Sequence, residues 1–250
     1  MSSRIIQNTE QNTIDEDELK YFNSISSIWW NNSALSSLRN ICGLFTPYMC
    51  SIIQETFPDK SLNSLRILEV GCGGGFLSEE LARAGCDLVA IDVTENLLEI
   101  AKNHSKSDPT LPKITYLLDS IENHCKENYQ QYDVVISNFV LEHVTDHDYF
   151  IKCCSDCVKP NGLLFMSGLS KTMISRFLLI FLAENILGMI PKGMHHYEKC
   201  INALDVENIM KSYNFKIKET RGLITNPFTN SAYFFPSTIL SYIICAARDN

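Results

Sequence analysis

RILEVGCGGGFLSEELARAGCDLVAID, residues 66–92, is the stretch whose reading decides the fold. A short apolar run (Ile67, Leu68, Val70) leads into Gly71-Cys72-Gly73-Gly74-Gly75. A helical pattern follows through Phe76, Leu77, Leu81 and Ala84, and then a second apolar run, Leu88–Ile91, ends on Asp92. Strand, glycine turn, helix, strand and terminal acid together describe a nucleotide-type βαβ unit. Glycines allow a tight turn and let a ligand lie against bare main chain. An acid at the tip of the second strand can accept hydrogen bonds from both hydroxyls of a ribose.

The spacing of the glycines separates two ligands. A dinucleotide site needs G-x-G-x-x-G, with a helix N-terminus aimed at a pyrophosphate. Here the glycines alternate, and Glu69 stands two residues before Gly71. This E-x-G-x-G-x-G form resembles motif I of the class I S-adenosylmethionine-dependent methyltransferases, whose cofactor has a ribose and no phosphate. A glycine turn without a ligand is the plain alternative. It leaves unexplained four glycines in five residues, each costing about 1 kcal/mol in lost order.

Composition limits the rest. The chain has 250 residues, enough for one α/β domain with a full core and an N-terminal addition. Its net charge of −8 argues against nucleic acid as a partner, because phosphate backbones select basic surfaces. Ten cysteines without regular spacing read as reduced thiols rather than a disulfide framework. Cys153, Cys154 and Cys157 have the look of half a zinc site, but no second half follows, and core packing on a helix is the favoured reading.

In chain order, residues 1–14 read as a disordered tail and 15–250 as a single domain, with 15–60 as an N-terminal helical cap. One helix is expected from Asp15, with Leu19, Phe22, Ile25, Ile28 and Trp29 on one face, and another over about 34–57. Trp29 and Trp30 between them suit core packing with some character of a lid over the cofactor. Thr94 is a good N-cap for a further helix. Strands are expected at Lys113–Leu118, Asp133–Ser137, Leu163–Ser167, Phe215–Glu219 and Ile239–Ala247, and helices at about 146–158 and 204–213. Asp119 is either a cofactor contact or a turn residue. The sum is a doubly wound, mostly parallel seven-stranded sheet with an antiparallel last strand and helices on both faces, ligands sitting at the carboxyl ends of the strands.

Residues 173–190, MISRFLLIFLAENILGMI, are the most apolar stretch. It is shorter and more interrupted than the roughly 18–20 apolar residues that span a bilayer. A buried helix and an amphipathic helix lying in a membrane surface both fit it.

The chain as a whole resembles the ubiquinone-biosynthesis O-methyltransferases, which methylate catechol hydroxyls on polyprenylated rings. The matching pieces are Trp29-Trp30 after an acidic helix, LEVGCGGGFLSEELARAG, VLEHV at 140–144, FIKCCSDCVKPNG, PKGMHHYEK at 191–199 and GLITNPFTN at 222–230. The resemblance implies a class I methyltransferase fold using S-adenosylmethionine. Gly71 and Gly73 would contact the cofactor, Asp92 would hold its ribose, and Asn138 would lie beside its methionine part. Glu142 and His143 match part of a set that holds a divalent cation, Mg2+, in eukaryotic members. His143 and His195 are the candidate acid–base groups. Residues 173–197 would form an acceptor-side insertion that touches the membrane. The implied partners are a polyprenylated catechol or hydroxyquinol, a membrane surface and other ubiquinone-biosynthesis proteins. The implied place is the matrix side of the mitochondrial inner membrane, although the acidic N-terminus lacks the basic character of a presequence.

Two positions depart from the family pattern. Phe139 stands where another glutamate is expected, and Phe45 where an arginine would approach the cofactor's carboxylate, with Arg39 nearby as a substitute. The first loss leaves two protein ligands for a cation. Together they also open a second reading, a cofactor-binding but non-catalytic subunit of a quinone-biosynthesis complex.

Overall fold

A computed structural model describes residues 11–32, 35–175, 197–226 and 229–250. The leading apolar run forms β1 (Arg66–Val70), and the glycine turn delivers the chain into α3 (Phe76–Arg83). Strand β2 (Asp87–Asp92) returns parallel to β1, pairing Ile67 with Leu88 and Val70 with Ile91. The expected βαβ unit is therefore present at the expected residues.

Two helices precede it. In α1 (Glu16–Ile25), the Asp15 side chain caps the first turn by accepting from the backbone N–H groups of Asp17 and Glu18. In α2 (Ser36–Thr56), a buried face runs from Ile41 through Phe45 and Met49 to Ile53, the spacing that a 3.6-residue period requires. After β2 come α4 (Glu95–Ser107), β3 (Thr115–Leu118), α5 (Ile121–Glu127), β4 (Tyr132–Asn138), α6 (His147–Cys157) and β5 (Val158–Leu169). The remainder holds a single turn α7 (Met173–Ser175), α8 (Ala203–Ser212), β6 (Phe215–Thr225), β7 (Ala232–Phe235) and β8 (Ser241–Arg248).

The described strands form one eight-stranded sheet in the order β3-β2-β1-β4-β5-β8-β6-β7. β1 to β5 are mutually parallel, and β8 inserts antiparallel between β5 and β6. The last strand is thus antiparallel, as expected. The count differs by one, because β6 continues beyond Glu219 to Thr225 and pairs there with the short edge strand β7. Side chains alternate between two cores. Ile67, Val134, Ile136 and Phe165 face the α2–α3–α4 layer, while Leu68, Val135, Leu164 and Met166 face α5, α6 and α8. All ten cysteines are free and buried, and Cys153, Cys154 and Cys157 pack from α6 into the second of these cores.

Residues 11–14, expected to belong to a disordered tail, are held against the domain. Thr13 is buried, its backbone N–H and hydroxyl both donate to Oε1 of Glu122, and Ile14 bridges to Val144. The order of β1 and β4, where the crossover changes direction, leaves a crevice at their carboxyl ends. Residues 11–22 run across it.

Candidate active site

The crevice is a cavity of about 440 Å³. Its floor is the glycine turn and the ends of β1, β2 and β4, and its roof is Thr13, Ile14 and the Glu18, Leu19 and Phe22 face of α1. Leu169, Leu223 and Leu240 supply an apolar wall on the side of β5 and β6.

Gly71, Gly73, Asp92 and Asn138 all line this cavity, so the structure brings together the four residues singled out as a cofactor set. Asp92 sits at the end of β2, where its Oδ2 accepts from the Gly73 N–H and its Oδ1 from the Thr94 N–H, both at 2.7 Å. The Thr94 side chain and the Val93 N–H also donate to this carboxylate. Burial raises the Asp92 pKa, against the lowering effect of these hydrogen bonds. Glu69, behind the turn, accepts from the Ser78 hydroxyl at 2.5 Å, and burial pushes its pKa up to about 7. Asp119 also lines the cavity, where its Oδ2 lies 2.8 Å from Nδ1 of His124.

The tryptophan pair gives the glycines a second explanation. Trp29 lies against the turn so closely that a Cβ on Gly74 would overlap its Cδ1. Trp30 donates from Nε1 to the Gly74 carbonyl at 2.9 Å and stacks on the His104 ring at 3.4 Å. Gly71, at φ +73°, faces Val140, whose Cγ2 a Cβ would overlap. The turn is therefore bare partly to admit the protein's own indole and valine.

Past β4 the chain turns sharply at Phe139, which has φ +54°, a costly conformation for a bulky residue. The Ser167 hydroxyl holds the corner, donating to Oδ1 of Asn138 at 2.7 Å and accepting from the Phe139 N–H at 3.1 Å. Phe139 lines the cavity, and fully buried Phe45 lies behind it. Arg39 is exposed on α2 and does not line the cavity, so it does not take the place of the missing arginine.

Glu142 and His143 share one 3-10 turn, Leu141–His143, yet point to different places. His143 lines the cavity, with Nδ1 3.1 Å from Oε2 of Glu18. Glu142 is fully buried outside the cavity lining, near Gly168, and among the described residues neither carboxylate oxygen has a hydrogen-bond partner. A divalent cation does not fit this arrangement. Phe139 offers no donor, Glu142 faces away, Nδ1 of His143 is engaged, and among the described residues no three His, Cys, Asp or Glu side chains converge. The expected Glu142–His143 ligand pair is not assembled at the cavity. His195 lies outside the described residues, as does most of the 173–197 insertion. No motif in the sequence marks Glu18 or Lys199 as a site residue. The one available signal was Glu18 itself, an acid on the apolar face of an amphipathic helix.

A family model described as a methyltransferase domain matches residues 68–166. The ubiquinone biosynthesis O-methyltransferase of Proteus mirabilis (strain HI4320) is 35% identical over 239 residues, covering 95% of this chain and 94% of that protein. The chain belongs to the ubiquinone biosynthesis O-methyltransferase family. The mitochondrial enzyme of that name from Mus musculus is 34% identical over 249 residues, 97% of this chain and 67% of its own length. Among solved structures, magnesium protoporphyrin IX methyltransferase from Synechocystis PCC 6803 with bound SAH aligns with a TM-score of 0.65 at 20% identity, covering 92% of this chain and 97% of that one. That likeness confirms the class I methyltransferase fold. Family membership makes the protein an enzyme, an O-methyltransferase.

Proposed function

We propose that the protein uses S-adenosylmethionine to methylate a catechol-type hydroxyl of a polyprenylated ubiquinone precursor. Its place would be the matrix face of the mitochondrial inner membrane, beside other ubiquinone-biosynthesis proteins. The observation that carries this reading is one cavity lined together by Asp92, the glycine turn, His143 and the apolar wall of Leu169, Leu223 and Leu240. The residues present fit the cofactor. Asp92 presents a carboxylate acceptor to the cavity from the tip of β2, Gly71 and Gly73 offer bare backbone, and Asn138 stands where the methionine part would run.

When bound, S-adenosylmethionine would supply a methyl group activated by its sulfonium charge. The protein has two tasks beyond holding it. His143 takes the proton from the acceptor hydroxyl as the oxygen bonds to the methyl carbon, and afterwards returns that proton to solvent. The cavity walls hold the ring at attacking distance, which supplies much of the remaining acceleration. Leu169, Leu223, Ile224 and Leu240 suit the first isoprene units of a tail.

The deciding experiment incubates purified protein with S-adenosylmethionine and a short-tailed catechol, with magnesium added or chelated. Methyl ether formation is expected in both conditions. Cofactor binding without turnover would overturn the enzymatic reading in favour of a non-catalytic subunit. For the membrane contact, Met173 and Ile174 are exposed at the start of the apolar stretch. The protein is expected to sediment with cardiolipin-containing liposomes, and its remaining in the supernatant would remove the membrane from the proposal.

A further inference from the structure

We infer that Glu18 is a positioning residue of the transfer reaction, fixing the His143 ring from the N-terminal helix while Lys199 fixes Glu18. The inference rests on the methyl-transfer reading above.

Glu18 is an anomaly on its own helix. Glu16 and Asp17 beside it are exposed, whereas Glu18 is only 5% exposed. Burying a carboxylate costs several kcal/mol unless partners replace the lost water. Both of its oxygens have such partners. Oε2 lies 3.1 Å from Nδ1 of His143, and Oε1 accepts from Nζ of Lys199 at 2.8 Å. Lys199 also reaches Oδ2 of Asp15, the cap of the same helix, at 3.0 Å. Nε2 of His147 lies 2.9 Å from the carbonyls of both Leu141 and Lys199, tying the backbone that carries the lysine to the turn that carries the histidine. The Phe22 and His143 rings pack perpendicular to each other, centroids 4.9 Å apart. Residues near 15–18, 143–147 and 199 thus meet in one cluster beside the cavity.

The order of the groups has a chemical consequence. The Lys199 ammonium, 2.8 Å from Oε1, pairs with Glu18 as a carboxylate and leaves Oε2 as the acceptor facing the histidine. An ionised acceptor on Nδ1 places the ring proton there and the basic lone pair on Nε2. When Nε2 takes the hydroxyl proton, the Glu18 carboxylate stabilises the imidazolium. Serine hydrolases use the same division of labour between histidine and aspartate. The acid here comes from the segment that roofs the cavity, so His143 is oriented only while the roof is in place.

The test uses the full chain and five variants: Glu18→Gln, Glu18→Ala, Glu18→Asp, His143→Ala and the Glu18→Ala/His143→Ala double. Turnover of the short-tailed catechol, affinity for SAH and thermal unfolding are measured for each. Glu18→Gln keeps the shape and is expected to lower kcat by roughly 10²-fold, with KM and SAH affinity nearly unchanged. Glu18→Asp should recover part of the rate. In the His143→Ala background, Glu18→Ala should cost nothing further in kcat, which a merely structural glutamate would not show. A folded Glu18→Gln enzyme with wild-type kcat, or losses that multiply in the double variant, overturns the inference while leaving the methyl-transfer reading intact. A wild-type protein inactive on every catechol overturns both.

Discussion

The rings of Phe45 and Phe139 lie parallel to within 4°, their centroids 6.4 Å apart. These are the two positions at which the sequence departs from the family's charged pattern, and in the fold they are neighbours. Phe234 of β7 extends the stack on the other side of Phe45, 6.2 Å away and within 12° of parallel. The three rings make one apolar stack. Phe45→Ala should cost about 3–5 kcal/mol in denaturant unfolding. Phe45→Arg and Phe139→Glu should each destabilise, and the double variant should lose at least about 1 kcal/mol less than the sum. Phe139→Glu alone should confer no magnesium-dependent rate, because Glu142 does not face the cavity.

Gly74 and Trp29 form a second tight pair. A methyl group at residue 74 meets the indole. Gly74→Ala should therefore destabilise the protein by about 1–3 kcal/mol and shift its tryptophan emission to the red as Trp29 leaves its site. Adding Trp29→Ala should remove most of the penalty specific to the alanine, as a thermal-melt cycle over the four proteins would show.

Glu69 makes stability fall as pH rises. Its folded pKa of about 7 lies above the ordinary glutamate value of about 4.3, so the folded state holds a proton that the unfolded chain has released. Its contribution is full below about pH 4.3 and is lost by the time the pH passes about 7. Glu69→Gln cannot titrate. Between pH 5 and 8 the variant should gain about 2–3 kcal/mol relative to wild type in urea unfolding. Parallel pH profiles of the two proteins would contradict this.

The roof should open when its clasp is cut. Thr13 gives Glu122 two hydrogen bonds, from its backbone N–H and its hydroxyl, and the Thr13 carbonyl accepts from Thr145. Glu122→Ala should weaken the clasp by about 1.5–3 kcal/mol. Faster cleavage near residue 13 by a non-specific protease and faster SAH release in stopped-flow are expected. Unchanged rates of both would show that the clasp does not control access.

Much of this protein is legible in its sequence because the relevant physics is local. Alternating glycines after an apolar run dictate a strand-to-helix turn, and period-2 burial separates Ile67 from Leu68 onto the two sheet faces. Aspartates cap α1 and α6 through backbone N–H groups two or three residues ahead. Asp92 reaches the cavity because the end of β2 can lie nowhere else in a right-handed βαβ unit. Only the tertiary structure decided the rest. Adjacent side chains on a 3-10 turn project about 120° apart, which parts Glu142 from His143. Chain closure over 125 and 181 residues brings Glu18 to His143 and Lys199, a distance no local pattern encodes. The glycine turn was readable as a place for a ribose, but its fit to Trp29 required the packing of the N-terminal segment against it.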